Sequence, residues 1–388
     1  MIVKKMKETK LVRHIIWCLF AGFFSSAAVA GGEYQLTLPE FEQWYHSQEK
    51  EQALAYELRD RFLRLQTVIA KQSPDQKKRR GTHAKGHCIT GTFRVLEDDE
   101  LSPTSIIRKA RLRQGLFAPS YVGKQLSARY RFANASGKVL PDFVPDIRAL
   151  SIAVHTDDGL SQHFAFNNAP RFQLKDLQTF VDVLKMGTMV AEGSYALFAF
   201  TKLIFQTGLT HAFAAKGAVD MGEEDKAIAD SFASQSYWSG SVFALGGQPV
   251  KLGTYPCDLA VQHTDDMTNK TMTTDAAKRR GSDYLGEQLV GALQSGGICH
   301  RLFVQFLDET DQYREGFAKN LIEDATRVWT GPVHTVAELQ IDGEQLAPAV
   351  CDDPANGLNP ARVHIDLPGL GQINRARSLV EAASRAAR

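Results

Sequence analysis

The chain has 388 residues, 44% of them hydrophobic and 23% charged, with a formal net charge of +1. These are ordinary globular proportions and exclude disordered, collagen-like and coiled-coil chains. Residues 1–30 hold five basic residues and one acid, so the remaining chain carries −3. That body lacks the basic field on which nucleic-acid binding depends.

The N-terminus has the pattern of a secretory signal. Basic residues run to Arg13, and an apolar stretch follows from Ile15 to Phe24. Small residues then end in Ala28-Val29-Ala30, an A-x-A cleavage site. The expected mature chain begins near Gly31 in the periplasm or outside the cell. The apolar core is short for a membrane span, and no later run approaches the ~20 residues a span needs. Cys18 leaves with the signal. Cys88, Cys257, Cys299 and Cys351 remain. In an oxidising compartment they allow two disulfides in any of three connectivities, and free buried thiols are equally compatible with the sequence.

Residues 38–70 read as one or two helices, because Leu54, Leu58, Phe62, Leu65 and Ile69 fall on one face. This defines a helical arm over residues 31–74. Lys71–Arg80 reads as a polar, basic loop. From Cys88 the period changes to two, and Ile89, Gly91, Phe93 and Val95 alternate with polar neighbours. Further short strands are predicted at Gln125–Phe132, Leu150–His155, His163–Phe166, Val250–Tyr255, Leu302–Leu307 and Val333–Ile341. Turn residues between them point to an antiparallel sheet or barrel. Helices are predicted at Leu174–Lys185, Glu192–Phe205, Asp275–Leu293, Leu321–Trp329 and Gln372–Arg388, the last with a stripe of Ile373, Ala376, Val380 and Ala383. The Thr-rich run Thr264–Thr274 reads as a mobile loop.

Motif spacing alone adds little. There is no P-loop, no H-E-x-x-H and no nucleophile elbow. His83 and His87 are four apart, which suits a metal pair on a helix, but Gly86 intervenes and a strand follows. Two separated stretches are more specific. Arg80-Gly81-Thr82-His83-Ala84-Lys85-Gly86, followed by Gly91-Thr92-Phe93-Arg94-Val95, resembles the catalase signature around the distal histidine. Tyr130-Arg131-Phe132-Ala133, Asp146-Ile147-Arg148 and Phe166-Asn167-Asn168-Ala169-Pro170 follow in the catalase order. Tyr237-Trp238-Ser239, Glu323–Thr326 and Ile373–Arg377 are similar to short bacterial catalase-like proteins.

The resemblance covers residues 75–388 and implies an α+β fold. Its core is an eight-stranded antiparallel β-barrel surrounded by helices, with haem b between barrel and C-terminal helix. It places His83 at the distal histidine, Asn167 at the distal asparagine, Arg80 and Arg131 at haem-propionate arginines, Phe180 at an aromatic flanking the haem, and Arg377 at the proximal arginine. The residue types suit peroxide chemistry. A neutral imidazole can accept and return a proton, an amide can orient the peroxide, and guanidiniums pair with carboxylates.

Two positions depart from the family. The proximal tyrosine of the R-x-x-x-Y pattern is replaced by Glu381 in Arg377-Ser378-Leu379-Val380-Glu381. A carboxylate is also an anionic oxygen ligand, which makes Glu381 a candidate axial ligand of the iron; as an alternative it pairs with Arg377 and Arg385 at i,i+4 spacing. Ala133 stands where a serine usually hydrogen-bonds the distal histidine. The expectation is an exported haem protein that reduces hydrogen peroxide or an organic hydroperoxide, with weak catalase activity. A haem-free binding protein of the same fold and a lipid-hydroperoxide isomerase of the allene oxide synthase type are the rivals. The resemblance identifies neither the electron donor nor the oligomeric state.

Overall fold

In the computed structural model, the chain closes its sheet into a barrel. The structure describes residues 41–101, 106–314, 316–351, 353, 359 and 367–388. The export segment expected over residues 1–30 lies outside them. Eight strands form the closed ring: β1 (Gly86–Val95), β2 (Gln125–Asn134), β3 (Arg148–His155), β4 (Ser161–Asn167), β5 (Tyr237–Ser239), β7 (Gln248–Pro256), β8 (Ile298–Phe306) and β9 (His334–Ile341). Each pairs antiparallel with the next in that order, and β9 returns to β1. Short β6 (Val242–Leu245) lies beside β7, β10 (Gln345–Leu346) beside β1, and β11 (Gly369–Leu370) beside β6.

Alternation along the strands decides what fills the barrel. Tyr130 and Phe132 of β2 are buried among Phe93, Ile152, Phe164 and Tyr237 in the main core. Arg131, between them, must leave by the opposite face. In the same register, Arg131 pairs with Ser151 and Ser151 with Ala165, while Ala149 pairs with Asn167. The outer face of β2, β3 and β4 therefore carries small and polar residues.

Ten helices of the described residues surround the barrel: α1 (Gln48–Gln72), α2 (Ile106–Leu112), α3 (Leu177–Ala191), α4 (Ala196–Thr207), α5 (Leu209–Glu224), α6 (Thr274–Arg280), α7 (Tyr284–Gln294), α8 (Ala318–Glu323), α9 (Pro348–Cys351) and α10 (Gln372–Ala386). α1 starts on Ser47, whose hydroxyl accepts from Lys50 N, and α3 on Asp176, which accepts from Thr179 N. Leu54, Leu58 and Phe62 of α1, Leu177, Val181 and Leu184 of α3, and Ala376, Leu379 and Val380 of α10 form a second core. This helical layer covers the outer face of β2–β4.

Several sequence-based elements are corrected. The helix expected over Asp275–Leu293 is two, α6 and α7, separated at Gly281, whose φ of 106° a helix does not permit. The helix expected over Leu321–Trp329 ends at Glu323, because Asp324 turns to extended backbone and its side chain accepts from Thr326. α5, β5 and β6 were not expected. The Thr264–Thr274 run is tied down: Met267 is buried, and Asn269 bonds both Asn168 O and Ser236 N. Both disulfides form, Cys88–Cys351 and Cys257–Cys299.

Arg375 clamps the helical layer. Its guanidinium is wholly buried, 2.7 Å from Glu51 of α1 and 2.5 Å from Glu42, and 3.5 Å from Glu323 at the end of α8. Trp44 lies against the guanidinium face. Removing one partner of such a cluster leaves buried charge uncompensated, so Arg375→Met should cost roughly 3–5 kcal/mol in urea unfolding; a loss below about 1 kcal/mol would contradict the clamp. Burial, opposed by Arg375, raises Glu42 to about 7. The folded chain then holds a proton that the unfolded chain releases near pH 4.5. Stability from this group should fall as pH rises from 4.5 to 7, and Glu42→Gln should flatten that decline.

Candidate active site

The loop before β1 carries the first residues of the site. His83 N bonds Ala135 O and Ala84 N bonds Ser136 O, which fastens the loop to the end of β2. His83 itself has a φ of 59°, an uncommon conformation for a residue with a side chain. Arg131 donates to His83 O at 2.8 Å. Gly86 lets the guanidinium lie flat on β1, since a Cβ there would stand 2.5 Å from Arg131 Cζ. Gly81 is pressed against Phe62 of α1 in the same way.

Between this loop, the outer face of β2–β4 and the helical layer lies a cavity of about 320 Å³, within the range of small-molecule sites. Every candidate residue of the sequence analysis lines it: His83, Asn167, Arg80, Arg131, Phe180, Arg377 and Glu381. Asn167 ends β4. Its Oδ1 accepts from Ala169 N at 2.9 Å, which fixes the carboxamide and leaves the amide hydrogens without a protein acceptor among the described residues. Phe180 of α3 meets Phe172 edge to face, with ring centroids 6.0 Å apart. Phe62 and Phe166 add further aromatic wall.

α10 supplies the opposite wall. Ile373, Arg377, Val380, Glu381 and Ser384 share the face toward the cavity. Glu381 forms no hydrogen bond or ion pair with another described residue, so the i,i+4 ion pairs considered for it are not made at contact distance. Its charge still acts on Arg377: burial lowers the Arg377 guanidinium and Glu381 opposes that shift. No tyrosine lines the cavity among the described residues.

The electrostatics select the ligand. Four guanidiniums (Arg80, Arg131, Arg377 and Arg388) face one carboxylate, Glu381. Arg80 Nε and one Nη are buried without a hydrogen-bond partner. Such groups call for an acidic ligand to accept from them. Burial, then the charges of Arg131, Arg80 and Arg377, push the His83 imidazole down to about 3. Its Nδ1 lies 3.0 Å from Thr82 Oγ1. This hydroxyl lies beside the imidazole, whereas Ala133 offers none. The residue types of these walls suit an apolar ligand that carries acidic groups.

A family model for catalase matches residues 45–345. The chain belongs to the catalase family. Solved catalases share its fold at low identity. Catalase A from Saccharomyces cerevisiae is 16% identical with a TM-score of 0.51, covering 79% of this chain and 59% of that one. A fungal catalase is 16% identical at 0.53, covering 77% and 57%. A bacterial catalase is 17% identical at 0.55, covering 79% and 57%. The chain thus spans less than two thirds of these catalases. No curated protein matches it. The family match stops before α10, so the helix carrying Arg377 and Glu381 lies beyond the matched residues.

Sequence reasoning missed Thr82, Ser151, Gln173 and Arg388, all of which line the cavity. The i,i+4 spacing of His83 and His87 made no pair. His87 sits on β1 against Phe232 of the main core, with its Nε2 3.8 Å from Asp283.

Because the folded chain refuses a proton that unfolded histidine accepts near 6.5, stability from His83 should be full above pH 6.5 and fall as pH drops toward 3. Replacing His83 by Gln should remove that slope. Arg131→Gln should raise the His83 midpoint in an NMR titration, whereas Arg131→Lys, which keeps the charge, should leave it low. Equal midpoints in both variants would contradict a contribution from the Arg131 charge.

Proposed function

We propose that this catalase-family protein is an exported haem-dependent peroxidase that reduces hydrogen peroxide or an organic hydroperoxide and disproportionates peroxide weakly. The observation that carries the reading is the convergence of seven residues, from five separated stretches of sequence, on one guanidinium-rich cavity between barrel and helices. Export is supported by the N-terminal pattern and by two disulfides, which persist in oxidising compartments.

Arg80 and Arg131 would hold the haem carboxylates through charge-assisted hydrogen bonds. Phe180 would lie against the ring, and Glu381 on α10 would offer the carboxylate oxygen nearest to an iron ligand's role. A bound ferric haem would supply the two electrons that cleave the peroxide bond, and an external electron donor would restore them. His83 would accept a proton from the peroxide and return it to the oxygen that leaves as water. The Asn167 amide donates to the peroxide and holds it in line. Thr82 restrains the ring of His83.

An imidazole held near pKa 3 is a weak base. Two carboxylates beside Arg80 and Arg131 offset the charges that depress it. Loading with metal-free protoporphyrin should therefore raise the His83 midpoint in an NMR titration, and an unchanged midpoint would contradict carboxylate pairing there.

Protein from haem-supplemented cells should show a Soret band that shifts with cyanide. His83→Gln should keep the band and lose about 10²–10⁴-fold in peroxide turnover. A colourless preparation would favour the haem-free rival, and turnover confined to fatty-acid hydroperoxides would favour the isomerase. Glu381→Tyr should raise peroxide turnover and shift the visible spectrum; an unchanged spectrum would place the proximal ligand elsewhere.

A further inference from the structure

A second cavity, of about 490 Å³, lies against the first. The last turns of α1, the loop that follows them and the turn after β2 enclose it. Arg80 lines both cavities. Gln66 stands at the same partition. Its Nε2 donates to Arg79 O at 2.6 Å and to Ser384 O at 3.3 Å, and Ser384 lines the first cavity. Of the residues around the second cavity, the peroxide chemistry engages Arg80 alone.

The lining restricts what can occupy it. Asp75 is its one acid, and Asp75 is spent on Arg79 at 2.5 Å. Lys77, Lys138 and Arg80 form no ion pair with a described residue. Pairing therefore leaves three cations, and two when Arg80 holds a haem carboxylate; an anionic group suits them. Gln66 is 2% exposed, and its Oε1 accepts from no donor. A buried acceptor left this way calls for an O–H or N–H. Ile69, Val139 and Leu140 add apolar wall, and Val139 is 55% exposed. The occupant these groups suit has a carboxylate near the exposed lysines, a compact apolar body and a hydroxyl at the inner end. Peroxide reduction adds one more demand, since it draws two electrons from an external donor that must come close to the first cavity without filling it. A phenolic hydroxyl is both an O–H donor and a source of electrons.

We propose that the second cavity is the electron-donor site and binds a small aromatic acid with phenolic hydroxyls, its carboxylate at Lys77 and Lys138 and one hydroxyl at Gln66 Oε1. The donor role rests on the peroxidase reading; the binding does not. Each phenolic O–H gives up one electron and one proton. Two of them convert one hydroperoxide into its alcohol and one water, and two such hydroxyls on neighbouring carbons of one ring leave a quinone.

Methyl NMR of the full chain before haem is added, titrated with 3,4-dihydroxybenzoate, tests the site. Methyl signals of Ile69, Val139 and Leu140 should shift and saturate, while those of Ile373 and Val380 in the first cavity stay in place. Benzoate, which lacks the hydroxyls, and catechol, which lacks the carboxylate, should each bind about tenfold more weakly. A Lys77→Gln/Lys138→Gln variant changes two exposed side chains and should keep its melting temperature. It should bind 3,4-dihydroxybenzoate about fivefold more weakly and catechol as the parent does. Gln66→Leu should abolish the preference for 3,4-dihydroxybenzoate over benzoate. In haem-loaded protein, the lysine variant should raise KM for 3,4-dihydroxybenzoate about fivefold, with kcat and the KM for peroxide unchanged. Absent shifts, shifts at Ile373 and Val380 instead, or an affinity indifferent to both lysines would overturn the proposal. Saturable binding in protein that never forms a Soret band would uphold the site and overturn its role as electron supply, so the two readings fail separately.

Discussion

The buried guanidinium of Arg375 holds the architecture of the site together. It joins the chain before α1, α1 itself, the end of α8 and α10 through Glu42, Glu51 and Glu323. A charge of this kind is tolerated in a low-dielectric interior only when its hydrogen-bonding groups are met. Here Gln43 O accepts the remaining Nη donor. Once α10 is fixed this way, Arg377 and Glu381, two and six residues further on, must point across the cavity toward the barrel. The cavity is a gap between two independently specified surfaces, one set by strand alternation and the other by this ion cluster.

The barrel side was legible in the sequence for a simple reason. Apolar, basic, apolar at Tyr130, Arg131 and Phe132 admits one solution on a strand, with the guanidinium outside and both rings in the core. The same logic carried α1, whose apolar face runs at helical spacing, and α10. The ordered series of short motifs then placed His83 and Asn167 in one pocket, although no local pattern relates residues 83 and 167.

What stayed hidden has physical causes. β5 and β6 are buried on both faces, so they show no alternation. α5 is rich in Ala and Gly and begins directly after Gly208, which reads as a break. Thr82 reaches Nδ1 of its neighbour because His83 adopts a positive φ, and nothing in the sequence announces that conformation. Arg388 enters the cavity only because α10 continues for four turns. The disulfide pairing followed from strand and loop placement: Cys257 and Cys299 flank the β7–β8 pairing, with Cα atoms 5.4 Å apart.

The departures from the family concentrate around the two sides of the cavity that would act on the iron and on the peroxide. On the proposed reading, Glu381 stands on α10 where the resemblance expects a phenol, and the Thr82 hydroxyl lies beside His83 where Ala133 offers none. The central claim is that haem occupies the space between them. Anomalous diffraction at the iron edge from crystals of haem-loaded protein tests this most directly. One iron peak inside the cavity, between the His83–Asn167 side and Glu381, is the predicted result. A peak outside the cavity, or none from protein that has been given haem in excess, would contradict it.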